Sequence, residues 1–247
     1  MARSFDIVGC GALLGALLLS WPLAAGATQI AQWSFDDGTA TDVSGSPSSY
    51  DLAAVNGGPD MSAGFARFSG SEASPAFLEL AGFGGNPTWT VALRVRAQGV
   101  LDQGSYQGIF SNNTSSGASY SWQIESAGGV YQFRSQAGLH VIGSATAVDA
   151  WDEIVIRKLS SGDADIWFNG VQVEPSLGAN PGGLQFFRLG SNRNTSAFWQ
   201  GDLDDVQVYD SVEAPAGLFG GAPVPEPSTA GMLGLGLVGL VRVGRRR

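Results

Sequence analysis

The chain has 247 residues, of which 44% are apolar and 14% are charged, and its one cysteine is Cys10. That charge fraction is too low for a disordered protein, and the 196 residues between two ends that resemble processing signals are enough for one domain but hardly for two. Between Thr28 and Pro223 the chain has 8 Lys plus Arg and 20 Asp plus Glu, a net charge of about −12, which argues against nucleic acid as a partner.

The first 27 residues have the three regions of an export signal. Arg3 lies in a short basic region, residues 7–19 are apolar, and Ala25-Gly26-Ala27 is a small-x-small cleavage site. We therefore predict a signal peptide over residues 1–27, with a helical apolar region and cleavage after Ala27.

Residues 28–211 contain short runs in which apolar and polar residues alternate, separated by Gly, Asn, Asp and Ser clusters. No helical periodicity extends beyond a turn or two, so the pattern predicts antiparallel strands. The predicted strands are 31–35, 65–68, 77–80, 89–96, 106–110, 120–125, 130–134, 151–159, 165–168, 185–189 and 201–209. About a dozen strands of this length imply an all-β sandwich of two sheets with five to seven strands each.

Asn169-Gly170 is the strongest hairpin signal, because both central residues of a type I′ turn need a positive φ angle. A two-residue turn pairs Phe168 with Val171 and Ile166 with Val173. The register then turns Trp167 to the opposite face, across from Gln172.

The C-terminal end has a three-part pattern. Residues 212–223, rich in Ala, Gly and Pro, are predicted to be a flexible linker. The motif Val224-Pro225-Glu226-Pro227 is followed by an apolar run at 230–241 and then by four arginines. This order, over residues 224–247, resembles the PEP-CTERM sorting signal of Gram-negative bacteria that produce exopolysaccharide. An ordinary tail anchor is the alternative.

The PEP-CTERM resemblance implies a route and a location. Such tails hold an exported protein transiently in the inner membrane through a C-terminal apolar helix until an exosortase-like enzyme processes it. We therefore expect a protein of the cell surface or extracellular matrix. The run of twelve apolar residues is shorter than the roughly 17 to 25 residues that span a bilayer.

Five segments carry a second resemblance. They are WSFDDG at 33–38, DVSG at 42–45, WTVALRVR at 89–96, WFNG at 167–170 and GDLDDVQVYD at 201–210. Their order is similar to that of LamG-like domains, within the concanavalin A-like lectin/glucanase superfamily. The resemblance implies a two-sheet antiparallel jelly-roll sandwich that binds carbohydrate or protein, often beside a calcium ion.

Calcium is the one metal that the ligand chemistry suits, because the chain offers carboxylate and carbonyl oxygens. By the resemblance, a site would join Asp37 and Asp42 to Asp204 at the start of the last strand. The alternative is that Asp42, which precedes Ser44, only forms an Asx turn.

Sugar rings stack on flat aromatic faces, and six tryptophans follow the predicted signal peptide. Most should lie in the core. Register selects Trp167 as the main candidate for ligand contact, and Trp122 and Trp199 are weaker candidates because they lie beside loops rich in Asn and Gly.

Catalysis is not expected. Glucanases of the superfamily place their carboxyl groups in the order E-x-D-x-x-E, which does not occur in this sequence. Asp202, Asp204 and Asp205 are the nearest substitute, at positions where the LamG pattern has acidic residues for structural reasons. His140 has no nucleophile elbow beside it.

The sequence therefore predicts an exported, non-catalytic, carbohydrate-binding protein that associates with exopolysaccharide. A structural matrix protein that self-associates without a glycan ligand is the first alternative. A glycoside hydrolase is the second.

Overall fold

The computed structural model describes residues 27–81, 83, 87–99, 106–112, 121–145, 147, 149–178, 181–215 and 218–219. Within these ranges the chain forms fourteen strands and no helix, so the all-β prediction is confirmed. The predicted signal peptide and sorting segment, with their helices, lie outside the described residues. Within the described part, the chain contains no helix with the length and hydropathy needed to cross a bilayer.

The strands form two antiparallel sheets of seven strands each. In chain order they are β1 (Gln29–Trp33), β2 (Ala53–Val55), β3 (Ala66–Ser69), β4 (Phe77–Ala81), β5 (Trp89–Ala97), β6 (Gln107–Asn112), β7 (Trp122–Ala127), β8 (Val130–Ser135), β9 (Gly138–Gly143), β10 (Asp152–Lys158), β11 (Ala164–Phe168), β12 (Val171–Glu174), β13 (Phe186–Leu189) and β14 (Gln200–Tyr209). Sheet A has the order β1-β14-β5-β10-β11-β12, and β3 also pairs with β14. Sheet B has the order β2-β4-β13-β6-β7-β8-β9.

The core lies between the two sheets and follows from the alternation along each strand. On β5, Val91, Leu93 and Val95 are fully buried on the inner face, whereas Arg94 and Arg96 point outward. Strands β2 and β9 were not among the predicted strands, and the three residues of β2 are too few for a period-two pattern.

Three aromatic rings connect the sheets at the centre of the core. Trp122 on β7 stacks on Trp89 of β5, with ring centroids 4.9 Å apart, and on Phe110 of β6 at 5.3 Å. Each such pair contributes about 0.5–1.5 kcal/mol beyond the area it buries. The Trp89–Trp122 pair therefore holds sheet A against sheet B.

The predicted hairpin joins β11 to β12. Asn169 and Gly170 have φ angles of 49° and 76°, and Trp167 lies opposite Gln172, as the register predicted. The expected pairing of Ile166 with Val173 is wrong, because Ile166 lies opposite Glu174. An irregularity after Ile166 shifts the register there, as a β-bulge does by adding a residue to one strand.

The segment that follows β14 packs on the outer face of sheet A, where a flexible linker was expected. Thr90 Oγ1 donates to the carbonyl oxygen of Ser211 and accepts from the amide of Glu213, both at 2.8 Å. Gln207 Nε2 donates to the carbonyl oxygen of Leu218 at 2.8 Å, and Leu218 is 8% exposed. We call residues 211–215 and 218–219 the strap. Residues 216–217 and 220–223 of the predicted linker lie outside the described residues.

Candidate functional site

The outer face of sheet A is occupied by the strap and by ion pairs. Asp202 is 1% exposed and accepts hydrogen bonds from Arg67, Arg96 and Gln98 at 2.8–3.4 Å. This role is structural, because the carboxylate holds β14 to β3 and β5. Asp202 is therefore not free to act as a catalytic carboxyl group together with Asp204 and Asp205.

The outer face of sheet B carries a row of buried polar side chains. Ser121, Gln123 and Glu125 alternate along β7 and its entry, and they are 2%, 1% and 0% exposed. The side chains between them, Trp122 and Ile124, point into the core because successive residues of a strand face opposite sides. We call this outer surface of sheet B the polar face.

Glu125 is held by Arg134 of the neighbouring strand β8. Arg134 Nε and Nη2 donate to the two carboxylate oxygens at 2.7–3.1 Å. This ion pair raises the pKa of the Arg134 guanidinium, because a hydrogen bond to the carboxylate stabilises the charged form. Both oxygens of Glu125 are therefore engaged within the protein.

Gln123 connects this ion pair to Tyr106. Its Nε2 donates to Glu125 Oε2 and to the phenol oxygen of Tyr106. Burial raises the pKa of the Tyr106 phenol, because desolvation penalises the phenolate. Tyr106 is thus a neutral hydroxyl at the border of the polar face.

Two buried oxygen acceptors on this face have no hydrogen-bond partner. They are Gln123 Oε1 and Gln132 Oε1, and Gln132 lies opposite Glu125 in the strand register. An unsatisfied buried acceptor costs about 1–3 kcal/mol. Both oxygens therefore keep an unused capacity to accept a hydrogen bond.

A loop at residues 191–197 crosses the polar face beside β6. The loop comes so close to Gly108 that a Cβ atom there would collide with the backbone of Asn192. The Asn192 side chain accepts from the amides of Asn194 and Ser196 at 3.2 and 2.9 Å and donates to Ser196 Oγ at 3.0 Å. These bonds give the loop a fixed conformation.

Arg193 extends from this loop onto the polar face. Its Nη1 donates to Ser121 Oγ at 2.6 Å, and its carbonyl oxygen accepts from Arg188 Nη1 at 2.6 Å. The guanidinium thus lies beside the start of β7, next in the row to Gln123.

Trp122 and Trp199 are not ligand contacts, which corrects the prediction for these two residues. Both are 0% exposed in the core, and Trp199 packs near Tyr131, with ring centroids 6.4 Å apart. The proximity of Asn and Gly-rich loops did not predict exposure, because both side chains point between the sheets.

Trp167 lies on the outer face of sheet A, as its register predicted, and is half-buried. It packs beside Leu218 and Phe219 of the strap, and the guanidinium carbon of Arg157 lies 5.5 Å from its ring centroid. The protein itself therefore covers part of the indole that was predicted to meet a sugar.

The three aspartates predicted for calcium do not fit such a site. Asp42 accepts hydrogen bonds from the amides of Gln32, Ser44 and Tyr50 at 2.9–3.1 Å, and the bond from Ser44 forms the Asx turn predicted as the alternative. Asp37 accepts from Thr39. Among the described residues no group of three or more His, Cys, Asp or Glu side chains is placed to hold a metal ion.

Asp204 lies in a β-bulge of β14, where Asp205 has a φ angle of 45° and donates its amide to Asp204 Oδ1 at 2.8 Å. Burial raises the pKa of Asp204 to about 6, with further contributions from the charges of Asp205 and Asp36. The acidic residue of the early loop that acts on Asp204 is therefore Asp36. Calcium binding stays a prediction, but Asp37, Asp42 and Asp204 do not form a set of ligands for it.

Sequence reasoning missed the residues of the polar face. The usable signal was the alternation of polar Ser121, Gln123 and Glu125 with apolar residues on a strand. The role of Arg193 had no sequence signal, because its position depends on how the loop crosses the sheet.

Two family models match parts of the chain. A family model described as the concanavalin A-like lectin/glucanases superfamily matches residues 70–216, and the model of the PEP-CTERM protein-sorting motif matches residues 223–247. No curated protein matches the chain.

Several solved structures share the fold. Domain 4 of AbnA, a GH43 extracellular arabinanase from Geobacillus stearothermophilus, in complex with arabinotriose, is 15% identical, with a TM-score of 0.53 over 78% of this chain and 97% of that domain. The botulinum neurotoxin serotype G binding domain is 14% identical, with a TM-score of 0.57 over 77% of this chain and 49% of that one.

A third similar structure is the binding domain of botulinum neurotoxin DC in complex with SialylT. It is 11% identical, with a TM-score of 0.57 over 76% of this chain and 48% of that one. The chain thus spans about half the length of these toxin domains, and at such identities the likeness shows the fold. Because the superfamily match covers more than half of the chain, this protein belongs to the concanavalin A-like lectin/glucanase superfamily, and it carries a PEP-CTERM sorting motif.

Proposed function

We propose that this protein is an exported, non-catalytic glycan-binding module and that the polar face of sheet B binds the glycan. The observation that carries the proposal is the pair of buried, unpartnered oxygens, Gln123 Oε1 and Gln132 Oε1, on one face. The hydroxyl groups of a glycan can donate hydrogen bonds to such oxygens. The outer face of the other sheet, sheet A, is already occupied by the strap.

Two of the similar structures support a sugar ligand. One is a domain of an arabinanase in complex with arabinotriose, and another is a toxin binding domain in complex with SialylT. They share only the fold with this chain, so the binding residues are inferred from the contacts described above.

The proposed absence of catalysis rests on the carboxyl groups of the polar face. Glu125 is engaged through both oxygens by Arg134, and Glu79 accepts from Arg188 at 3.3 Å. A glycosidase needs one carboxyl group to donate a proton to the glycosidic oxygen and a second to attack or activate water. The described carboxyl groups of this face are instead tied to arginines.

We propose that the protein is exported, and the sorting motif supports this proposal. The sorting motif at 223–247 is the signal of an exosortase system that delivers proteins to the cell surface. We propose that residues 1–27 are the signal peptide, that the apolar tail holds the protein transiently in the inner membrane of a Gram-negative host, and that its exopolysaccharide is the glycan.

Binding to a panel of purified polysaccharides tests this function. Gln132→Leu should weaken binding about tenfold, the value of one good hydrogen bond, with little change in melting temperature, because its Nε2 makes a single 3.3 Å bond to the carbonyl oxygen of Ala127. Gln172→Leu on sheet A is the matched control and should bind as the wild type does.

Three outcomes of this experiment contradict parts of the proposal. No binding to any polysaccharide would refute the binding module. Unchanged binding by Gln132→Leu would contradict the assignment of the binding site to the polar face. Release of reducing ends from a bound polysaccharide by purified wild-type protein would refute the absence of catalysis.

The second candidate function is self-association in a matrix, and exposed apolar side chains favour it. Strand β9 ends sheet B, and its Leu139 and Val141 are 45% and 56% exposed. An edge strand with exposed apolar side chains can pair with a second copy. Analytical sedimentation of the wild type and of the double variant Leu139→Lys/Val141→Lys tests self-association. Assembly of the wild type that increases with concentration in the absence of glycan, and that the variant loses, would favour the matrix role.

A further inference from the structure

Arg193 differs from the other arginines of the described chain in having no carboxylate partner. Six arginines each form an ion pair with an Asp or Glu at 3.3 Å or less; these are Arg67, Arg94, Arg96, Arg134, Arg157 and Arg188. Within the described ranges, the two cations outside any ion pair are Arg193 and Lys158. Lys158 lies on β10 of sheet A, so Arg193 is the unpaired cation of the polar face.

The Arg193 side chain is held in place by neutral groups. Its Nη1 bonds to Ser121 Oγ, and Ser121 is 2% exposed. The loop backbone is fixed by Asn192 and by Arg188, as described above. A guanidinium has five N–H donors, and these contacts use one of them. The remaining donors form the planar fork that binds a carboxylate through two parallel hydrogen bonds.

The net charge of the domain differs from the charge around Arg193. Residues 28–223 carry a net charge of about −12, so the domain repels a polyanion at long range. On the polar face, by contrast, Glu125 is neutralised by Arg134 and Glu79 by Arg188, which leaves the charge of Arg193 uncompensated. The charges of these five described side chains, Glu79, Glu125, Arg134, Arg188 and Arg193, therefore leave one positive charge in excess.

We propose that the glycan is acidic and that Arg193 binds the carboxylate of a uronic acid residue. Ser121, which anchors Arg193, lies two residues before Gln123 on one face of the chain, a separation of about 7 Å. A carboxylate on Arg193 and a hydroxyl on Gln123 Oε1 therefore belong to the same sugar or to neighbouring sugars. This inference rests on the proposed function and adds the chemical class of the ligand.

The test compares polygalacturonate with carboxyl-reduced polygalacturonate, which keeps the linkage and loses the charge. Calorimetry on the purified protein should give at least tenfold tighter binding to the carboxylated polymer. Arg193→Gln should abolish that difference, and Arg193→Lys, which keeps the charge without the fork, should retain part of it. Lys158→Gln removes the same charge from sheet A and should bind as the wild type does.

The outcomes separate this inference from the proposed function. Equal binding of both polymers, unaffected by Arg193→Gln, would overturn the acidic-sugar assignment and leave glycan binding in place. Binding of neither polymer, and of no other polysaccharide in the panel, would overturn both. Tighter binding of dextran sulfate than of polygalacturonate would show that Arg193 prefers a sulfate ester to a carboxylate, and would overturn the assignment of a uronic acid as the ligand. Thermal melts of each variant check that the fold is retained.

Discussion

At the scale of single residues, the structure shows what the acidic residues of the sequence pattern do. Asp202 forms ion pairs with two arginines and so links three strands, and Asp42 closes a loop by accepting hydrogen bonds from three backbone amides. Asp204 differs from both, because it is half-buried in a bulge without a cationic partner of its own and burial raises its pKa to about 6. The same residue type thus stabilises the fold at two positions and destabilises it at the third.

Asp204 should make stability fall as pH rises from about 4 to about 6. In this window the folded protein keeps a proton that the unfolded chain, with a pKa of 3.8, has already lost, so ionisation costs folded-state stability. Asp37, Asp51 and Asp60 have lowered pKa values and act in the opposite direction, at lower pH.

Denaturant unfolding at several pH values measures this effect. The free energy of unfolding of Asp204→Asn, minus that of the wild type, should increase between pH 4 and pH 6. Glu72→Gln, which removes an exposed carboxyl group, is the control variant. A constant difference for Asp204→Asn would contradict the raised pKa.

Trp167 should contribute to stability and not to glycan binding. Trp167→Ala removes a half-buried indole from beside Leu218 and Arg157, which we expect to cost about 1–2 kcal/mol, less than a fully buried tryptophan. Urea unfolding and the polysaccharide assay measure the two effects. Weaker glycan binding by Trp167→Ala, with an unchanged free energy of unfolding, would instead support the original prediction that Trp167 contacts the ligand.

At the scale of elements, the strap covers part of the outer face of sheet A. Its backbone bonds to Thr90 and Gln207, and its Leu218 packs with Ala92 and Val155 of sheet A. These contacts bury Thr90 completely although it lies on an outward-facing position of β5. The polar face of sheet B carries no such segment among the described residues downstream of β14.

Thr90→Val should loosen the strap while keeping the strand. Valine has nearly the shape of threonine and suits a strand, but it removes the bonds to Ser211 and Glu213. Hydrogen exchange of the Glu213 amide should speed up about tenfold, with a small change in melting temperature. Thr39→Val in an exposed loop is the control. Unchanged exchange at Glu213 would show that apolar contacts alone hold the strap.

At the scale of the whole molecule, the two sheets are joined by aromatic packing. Trp122 of sheet B stacks on Trp89 of sheet A and on Phe110 of its own sheet. Because the domain has no disulfide within the described residues, this core packing supplies much of what resists separation of the sheets.

Trp122→Ala should therefore destabilise the protein by about 3–5 kcal/mol, and Trp122→Phe should cost about half as much, because a smaller ring leaves a smaller cavity. Guanidinium unfolding followed by fluorescence gives both values. A stable Trp122→Ala variant that had lost glycan binding would contradict the core assignment and restore the original prediction of ligand contact.

Much of the architecture was predictable because it depends on local pattern. Alternating apolar residues determined the fold class and nearly all of the strands, the positive φ of Asn169-Gly170 determined the hairpin, and the tail motif determined the sorting class. Each of these depends on residues that are close together in the sequence.

The site was decided by tertiary structure alone. Burial of Trp122 and Trp199, the path of the strap over Trp167, and the approach of Arg193 to Ser121 all join residues far apart in the chain. Periodicity assigns a side chain to one side of its own sheet, but the opposing layer or crossing loop decides whether that side is core, covered or open, and which charge there stays unpaired.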